Sequence, residues 1–280
     1  MFPCAVVATD LGPSSEGIVA CSGTLGVLGV RQAVLVHAIR LDRPLSADDD
    51  RAFERQITAL EATGIRVSIE TPLGYAPHAI MEVARTHGAD LIVMGTEGRG
   101  LFHVGFSGSV SSDVIRLSRI PVLLAPHSRT ATAEVGADVC SRALSSLLLP
   151  TDFSPLAERA FSLACLLAPA GVGRLTLVHA IEASFAALRG GREQAVREDL
   201  EALAERARTL GIADVRTEVL LGNPDRVVAE TIASGHYSMV ILAPRCLDTI
   251  DQEFGSVTNA VIRDCPIPML LAPPACDQPV

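Results

Sequence analysis

MGTEGRGLFHVGFSGSVSSDVI, residues 94–115, is the stretch from which both the fold and the chemistry of this chain can be read. Gly95 and Gly98 stand three apart, nine residues follow, and Gly108-Ser109 then opens a run with helical character through Val110 and Ser111. The apolar Leu91-Ile92-Val93-Met94 directly before it reads as a buried strand. Glycines let backbone N–H groups approach an anion with no Cβ in the way, and a helix N-terminus adds unpaired donors and a favourable dipole. Strand, glycine-spaced loop and helix start together are the anatomy of a phosphate cradle.

Working outward, the chain repeats itself. Ala8-Thr9-Asp10 matches Pro150-Thr151-Asp152 at an offset of 142, and the same offset carries Leu35-Val36-His37-Ala38-Ile39 onto Leu177-Val178-His179-Ala180-Ile181. Gly74 meets Gly222, Gly108-Ser109 meets Gly255-Ser256, and the run from Ile120 to Pro126 meets that from Ile267 to Pro273, at offsets of 147 or 148. Two copies of one fold are expected over residues 1–127 and 145–275, joined by a linker over 128–144.

Within each copy, short β-branched runs alternate with longer helical-period stretches, the βαβ rhythm of a doubly wound parallel sheet. In the first copy the pattern predicts strands near 4–9, 32–39, 65–71, 90–94 and 121–125, and helices over 14–29, 47–63, 76–87 and 108–118. In such sheets a ligand sits beyond the carboxyl ends of the strands at the topological switch point. Those ends carry Thr9-Asp10, Val36-His37 and Met94-Gly95, so the site is assembled from three separated segments.

Composition excludes several function classes. All 23 Lys+Arg residues are arginine, so no Walker lysine and no Schiff-base lysine exists. A formal net charge of −9 with scattered arginines, no Trp and two Tyr argues against a nucleic-acid surface, and no stretch is long and apolar enough for a membrane span. Seven cysteines, an odd number without Cys-x-x-Cys spacing, speak against a disulfide framework or a zinc knot. No basic leader precedes the first strand, so a cytoplasmic location is the expectation. Neither His37 nor His179 has a spaced carboxylate or cysteine partner, and both read as structural, hydrogen-bonded histidines rather than metal ligands or catalytic bases.

The glycine spacing, the hydroxyl at Ser109 and the strand and helix contexts resemble the phosphate-binding loop of the universal stress protein family, and the likeness runs through both copies. The resemblance implies two tandem Rossmann-like domains of the adenine nucleotide alpha hydrolase-like type, each a five-stranded parallel sheet with helices on both faces. It implies ATP or AMP as ligand, with Mg as a companion of ATP, and an often dimeric assembly. Carried over residue by residue, Ala8, Thr9 and Asp10 fall at the adenosine end and Val36 beneath the adenine. Met94 and Gly95 border base and ribose, and Gly98, Arg99, Gly108, Ser109, Val110 and Ser111 lie along the phosphates, with Ser109 and Ser111 as hydroxyl donors. Asp10 has two readings, a ligand contact or a cap for the following helix. Glu97 departs from the family pattern by placing a carboxylate where phosphate would sit.

The second copy reads as a degenerate site. Pro244 is aligned with Gly95 and Leu247 with Gly98, and Asp248, Asp251 and Glu253 against the single Arg245 leave that loop acidic. The overall expectation is a cytoplasmic, nucleotide-binding regulatory module with no catalytic and no metal-ligating set. A slow ATPase or adenylyl-transfer enzyme, and a structural interaction protein with a vestigial site, are the alternatives. The apolar terminal strands Val122-Leu123-Leu124-Ala125 and Met269-Leu270-Leu271-Ala272 are expected to pair as an intrachain pseudo-dimer, and chains to form homodimers.

Overall fold

The computed structural model describes residues 1–12, 15, 18, 21–39, 45–95, 110–126, 142–182, 192–249 and 252–274. The chain divides into two compact units, Met1–Ser141 with Thr249–Glu253, and Arg142–Asp248 with Phe254–Val280. In the first, β1 (Cys4–Ala8), α1 (Ser22–Val27), β2 (Gln32–Val36), α2 (Ala47–Glu61) and β3 (Arg66–Glu70) are followed by α3 (Ala76–Thr86), β4 (Leu91–Gly95), α4 (Val110–Leu117) and β5 (Val122–Ala125). Every pairing is parallel, in the order β3-β2-β1-β4-β5.

The second unit repeats the plan. It contains β6 (Leu147–Pro150), α5 (Pro155–Leu166), β7 (Leu175–Ile181), α6 (Arg192–Thr209), β8 (Val215–Leu221), α7 (Pro224–Ala233) and β9 (Met239–Leu242). A short pair, β10 (Cys246–Thr249) and β11 (Gln252–Phe254), comes next, before α8 (Ser256–Asp264) and β12 (Met269–Leu271). Its sheet is parallel in the equivalent order β8-β7-β6-β9-β12. The fold class is therefore α/β, with two domains each built on a parallel sheet flanked by helices.

Local chemistry explains where the helices start. Ser46 and Asp49 form a reciprocal capping box at α2, and Asp48, Asp49 and Asp50 in its first turn suit the helix dipole. Ser154 accepts from the Ala157 N–H at α5 and Asn223 from the Asp225 N–H at α7, each followed by a proline whose missing N–H costs the first turn nothing. The central strands are buried over most of their length, with Val6, Val7, Leu91, Ile92 and Val93 all at 0% exposure, whereas β3 at the sheet edge is largely open.

Two equivalent glycines make a test of backbone strain. Gly74 has φ +128° and Gly222 φ +140°, a region that side-chain-bearing residues rarely enter. A Cβ on Gly74 would meet open space, but one on Gly222 would lie 2.7 Å from the Val227 Cγ1. Val227 is β-branched in the first turn of α7 and has little rotamer freedom to move aside. Gly222→Ala is expected to destabilise by about 2–3 kcal/mol and Gly74→Ala by about 1–2 kcal/mol. Urea denaturation of both variants checks the order, and equal losses would show that the Val227 contact relaxes at no cost.

Candidate functional site

The switch point of the first unit lies between β1 and β4, because the chain moves from β1 through β2 to β3 and then returns to the far side of β1. A cavity of about 170 Å³ opens there, lined by residues at and just beyond the ends of β1, β2 and β4 and by the N-terminal parts of α3 and α4. Of the twelve residues assigned from the sequence, Ala8, Thr9, Asp10, Val36, Met94, Gly95, Val110 and Ser111 line it. Gly98, Arg99, Gly108 and Ser109 lie outside the described residues, as does Glu97. Val36, Ile80 and Met94 give the cavity buried apolar walls.

The end of β1 is an ordered turn. The Thr9 N–H donates to the Val36 carbonyl at 2.9 Å, the His37 Nδ1–H donates to the Thr9 carbonyl at 2.9 Å, and the Leu11 N–H donates to Thr9 Oγ1 at 3.0 Å. The carbonyl can only accept, so the bond requires the proton on Nδ1. Asp10 Oδ1 accepts from the Gly12 N–H at 2.9 Å and from the Ser15 hydroxyl at 2.6 Å, while Leu11 is carried into the left-handed region at φ 57°. Both readings of Asp10 therefore have structural content. Its carboxylate closes the turn, and it also stands exposed on the cavity wall.

Ser15 was missed from the sequence. Its Oγ receives the Thr9 hydroxyl at 2.9 Å and the Asp10 N–H at 3.2 Å while donating to Asp10, which fixes the carboxylate relative to the cavity. Ala157 holds the corresponding place in the second copy, and that difference was the available signal. Ser111 sits on the buried side of α4 and donates to the Gly95 carbonyl at 3.4 Å, a long bond that ties helix to strand end. His37 lines the cavity as well as bracing Thr9, and among the described residues no cluster of three or more metal-ligating side chains occurs.

The second unit keeps the turn. His179 Nδ1 donates to the Thr151 carbonyl at 2.8 Å, the Phe153 N–H to Thr151 Oγ1 at 3.0 Å and the Ser154 N–H to Asp152 Oδ1 at 3.0 Å, with Phe153 at φ 60°. Beyond it the copies diverge, and the sheet register corrects the sequence alignment. Val6 pairs with Ile92, and its equivalent Leu148 pairs with Val240. Ala243 consequently stands at the place of Gly95, and Pro244 at that of Thr96, one position later than the alignment placed it. Position within a loop does not fix this register; strand pairing does. Where the first copy has residues 96–109, the second has the β10–β11 pair, closed at its base by the Gly255 N–H donating to the Arg245 carbonyl at 3.0 Å. Arg245 Nη2 lies 3.9 Å from Asp152 Oδ2. Burial acts to raise the Asp152 carboxyl but is outweighed by Ser154 hydrogen bonds and the Arg245 charge, which together hold it below the usual carboxylate range.

A doubly repeated parallel α/β fold with a strand-end cavity at the switch point of the first copy defines the class of protein. The chain belongs to the universal stress protein family, which it matches over residues 26–126 and 144–273. It is 28% identical over 225 residues to the universal stress protein Rv2005c of Mycobacterium tuberculosis, covering 76% of this chain and 72% of that protein. It is 30% identical over 100 residues to the universal stress protein MJ0577 of Methanocaldococcus jannaschii, covering 36% of this chain and 62% of that one, so the match spans less than two thirds of the archaeal relative. The solved universal stress protein of Archaeoglobus fulgidus superimposes with a TM-score of 0.73 at 22% identity, over 96% of this chain and 98% of that one. No helix among the described residues is long and apolar enough to cross a membrane.

Proposed function

We propose that the first copy binds an adenine nucleotide, ATP or AMP, and that the chain acts as a cytoplasmic regulatory module of the stress response. The convergence of Thr9-Asp10, Val36-His37 and Met94-Gly95, three segments far apart in sequence, on one cavity at the switch point carries this reading. The apolar walls suit a purine, Asp10 can accept from ribose or base, and the glycine-spaced segment leaves the cavity from the end of β4 toward the start of α4. The second copy, with Ala243 for the glycine and a paired hairpin for the loop, is read as having no nucleotide site. Mg, if it takes part, would arrive with the phosphates, because the described residues offer it no ligand set of their own. Native mass spectrometry of the purified protein tests the central claim, since a co-purifying adenine nucleotide supports it and a bare chain that binds none on titration removes it.

Fast hydrolysis is not expected of this site. Phosphoryl transfer needs in-line water, protein-held metal and positive charge on the departing oxygens, whereas backbone N–H groups and hydroxyls bind phosphate in ground and transition state alike. With Mg²⁺ and saturating ATP, turnover should stay below about 1 per second, the low end of ordinary enzyme rates. Faster turnover that Asp10→Asn removes would make the protein an enzyme.

A further inference from the structure

Between α5 and α6 the second unit has a cavity of about 330 Å³, and one buried polar group on its wall lacks a partner that its counterpart in the first copy has. In the first copy the Thr9 hydroxyl donates to Ser15 Oγ at 2.9 Å. Ala157 stands at the place of Ser15, so the equivalent Thr151 hydroxyl, in a residue at 8% exposure, accepts the Phe153 N–H at 3.0 Å and has no acceptor for its own proton among the described residues. Thr151 and Ala157 both line the cavity, so the space that a serine hydroxyl would take up opens into it. A buried hydroxyl proton without an acceptor is costly, and a ligand oxygen that receives it supplies what Ser15 supplies in the first copy.

The rest of the wall fixes the kind of ligand. Phe153, Phe161 and Leu203 make it apolar, and His179 holds the Phe153 ring, with centroids 4.9 Å apart and 27° between the planes. Such surfaces take a flat ring. The charge of Arg206 is already engaged, because its guanidinium lies 4.7 Å from the Phe161 ring centroid and its Nη1 and Nη2 donate to the two carboxylate oxygens of Glu158, the first at 3.2 Å. Asp199, the third charged residue of the wall, has no ion pair or hydrogen bond among the described residues. Two carboxylates against one guanidinium repel an organic anion and favour an ammonium. We propose that this cavity is a second ligand site, for a small organic cation with an aromatic ring, an ammonium at one end and a hydroxyl at the other. The ring packs against Phe153 and Phe161, the hydroxyl oxygen accepts from Thr151 and the ammonium faces Asp199. The volume is at the lower end for small-molecule sites, which suits a ligand of this size. The site is independent of the nucleotide reading of the first copy.

Calorimetric titration of the intact protein at about pH 7, where an aliphatic amine is protonated, tests the assignment with tyramine as the probe. Tyramine is expected to bind with a Kd below about 1 mM. Phenethylamine, which lacks the hydroxyl, should bind about three- to tenfold more weakly. 4-Ethylphenol, which lacks the ammonium, should bind about two- to fivefold more weakly than tyramine, the scale of one exposed ion pair, and 4-hydroxyphenylacetate should bind weakest of the four. Ala157→Ser gives Thr151 the acceptor that Thr9 has, and should lower tyramine to the affinity of phenethylamine while leaving phenethylamine within about twofold. Asp199→Asn should erase the advantage of tyramine over 4-ethylphenol. Phe153→Ala should weaken every probe by about tenfold or more. Melting curves establish which variants fold, and Ala157→Ser, a small change at a half-buried position, decides the matter where Phe153→Ala does not. Tyramine that fails to bind at about 10 mM, 4-hydroxyphenylacetate that binds as tightly as tyramine, or a tyramine affinity unmoved by Ala157→Ser would each overturn the site.

Discussion

Gly108→Val is expected to abolish adenine-nucleotide binding, and the unsubstituted chain is expected to bind one nucleotide, not two. Gly108 precedes the helix that begins at Val110, and the family resemblance puts its backbone against phosphate. A valine there adds two methyl groups at the closest approach of chain and ligand, and it stiffens the residue at χ1. Loss of the close N–H contacts at a helix N-terminus should weaken binding by at least about a hundredfold, or about 2.7 kcal/mol. The matching change in the second copy, Gly255→Val, should leave affinity and stoichiometry unchanged. Gly255 has φ −58°, which any residue tolerates, and its neighbours are the hairpin base and Arg245. Calorimetry reads both. A stoichiometry near two, or nucleotide binding that survives Gly108→Val, would refute the assignment of the site to the first copy alone.

The difference in residue types on which that expectation rests, glycine against bulkier residues, was legible in the sequence, but its register was not. Strand pairing fixes which residue occupies the place of Gly95, and a loop alignment has no access to pairing. The strands were the easiest part to read. Leu91-Ile92-Val93-Met94 is continuously apolar because both faces of a parallel sheet are covered, and the observed β4 differs from the expected 90–94 by one residue at each end. The helices over 47–63 and 76–87 are found as Ala47–Glu61 and Ala76–Thr86, shorter by a frayed turn or less. β2 ends at Val36, short of the expected residue 39, although the His37 N–H still donates to the Glu70 carbonyl at 3.1 Å and an isolated bridge at Ile39 continues the pairing. Ser15 and the hydrogen bond that the Tyr75 hydroxyl donates to Asp113 are not legible in the sequence for a different reason. Each is a polar contact between residues whose proximity only the folded chain creates, and no periodicity announces it.

The largest stability effect should come from the strand that opens this site. Ile92 is at 0% exposure in β4, between Val6 of β1 and Val122 of β5. Ile92→Ala removes three carbons from a wall that close packing prevents from collapsing around the gap, and should cost about 2–5 kcal/mol. Ile69 has the same side chain on the edge strand β3 at 45% exposure, and Ile69→Ala leaves no enclosed cavity, so its cost should stay below about 1 kcal/mol. Urea denaturation compares the two at equal m-value. The core variant should also lose nucleotide affinity, because Met94 and Gly95, two and three residues on, take their positions on the cavity wall from the same strand. Equal losses at Ile92 and Ile69 would mean that the continuous burial of the central strands does not set the stability of the first unit, and the placement of the site at their carboxyl ends would lose its physical basis.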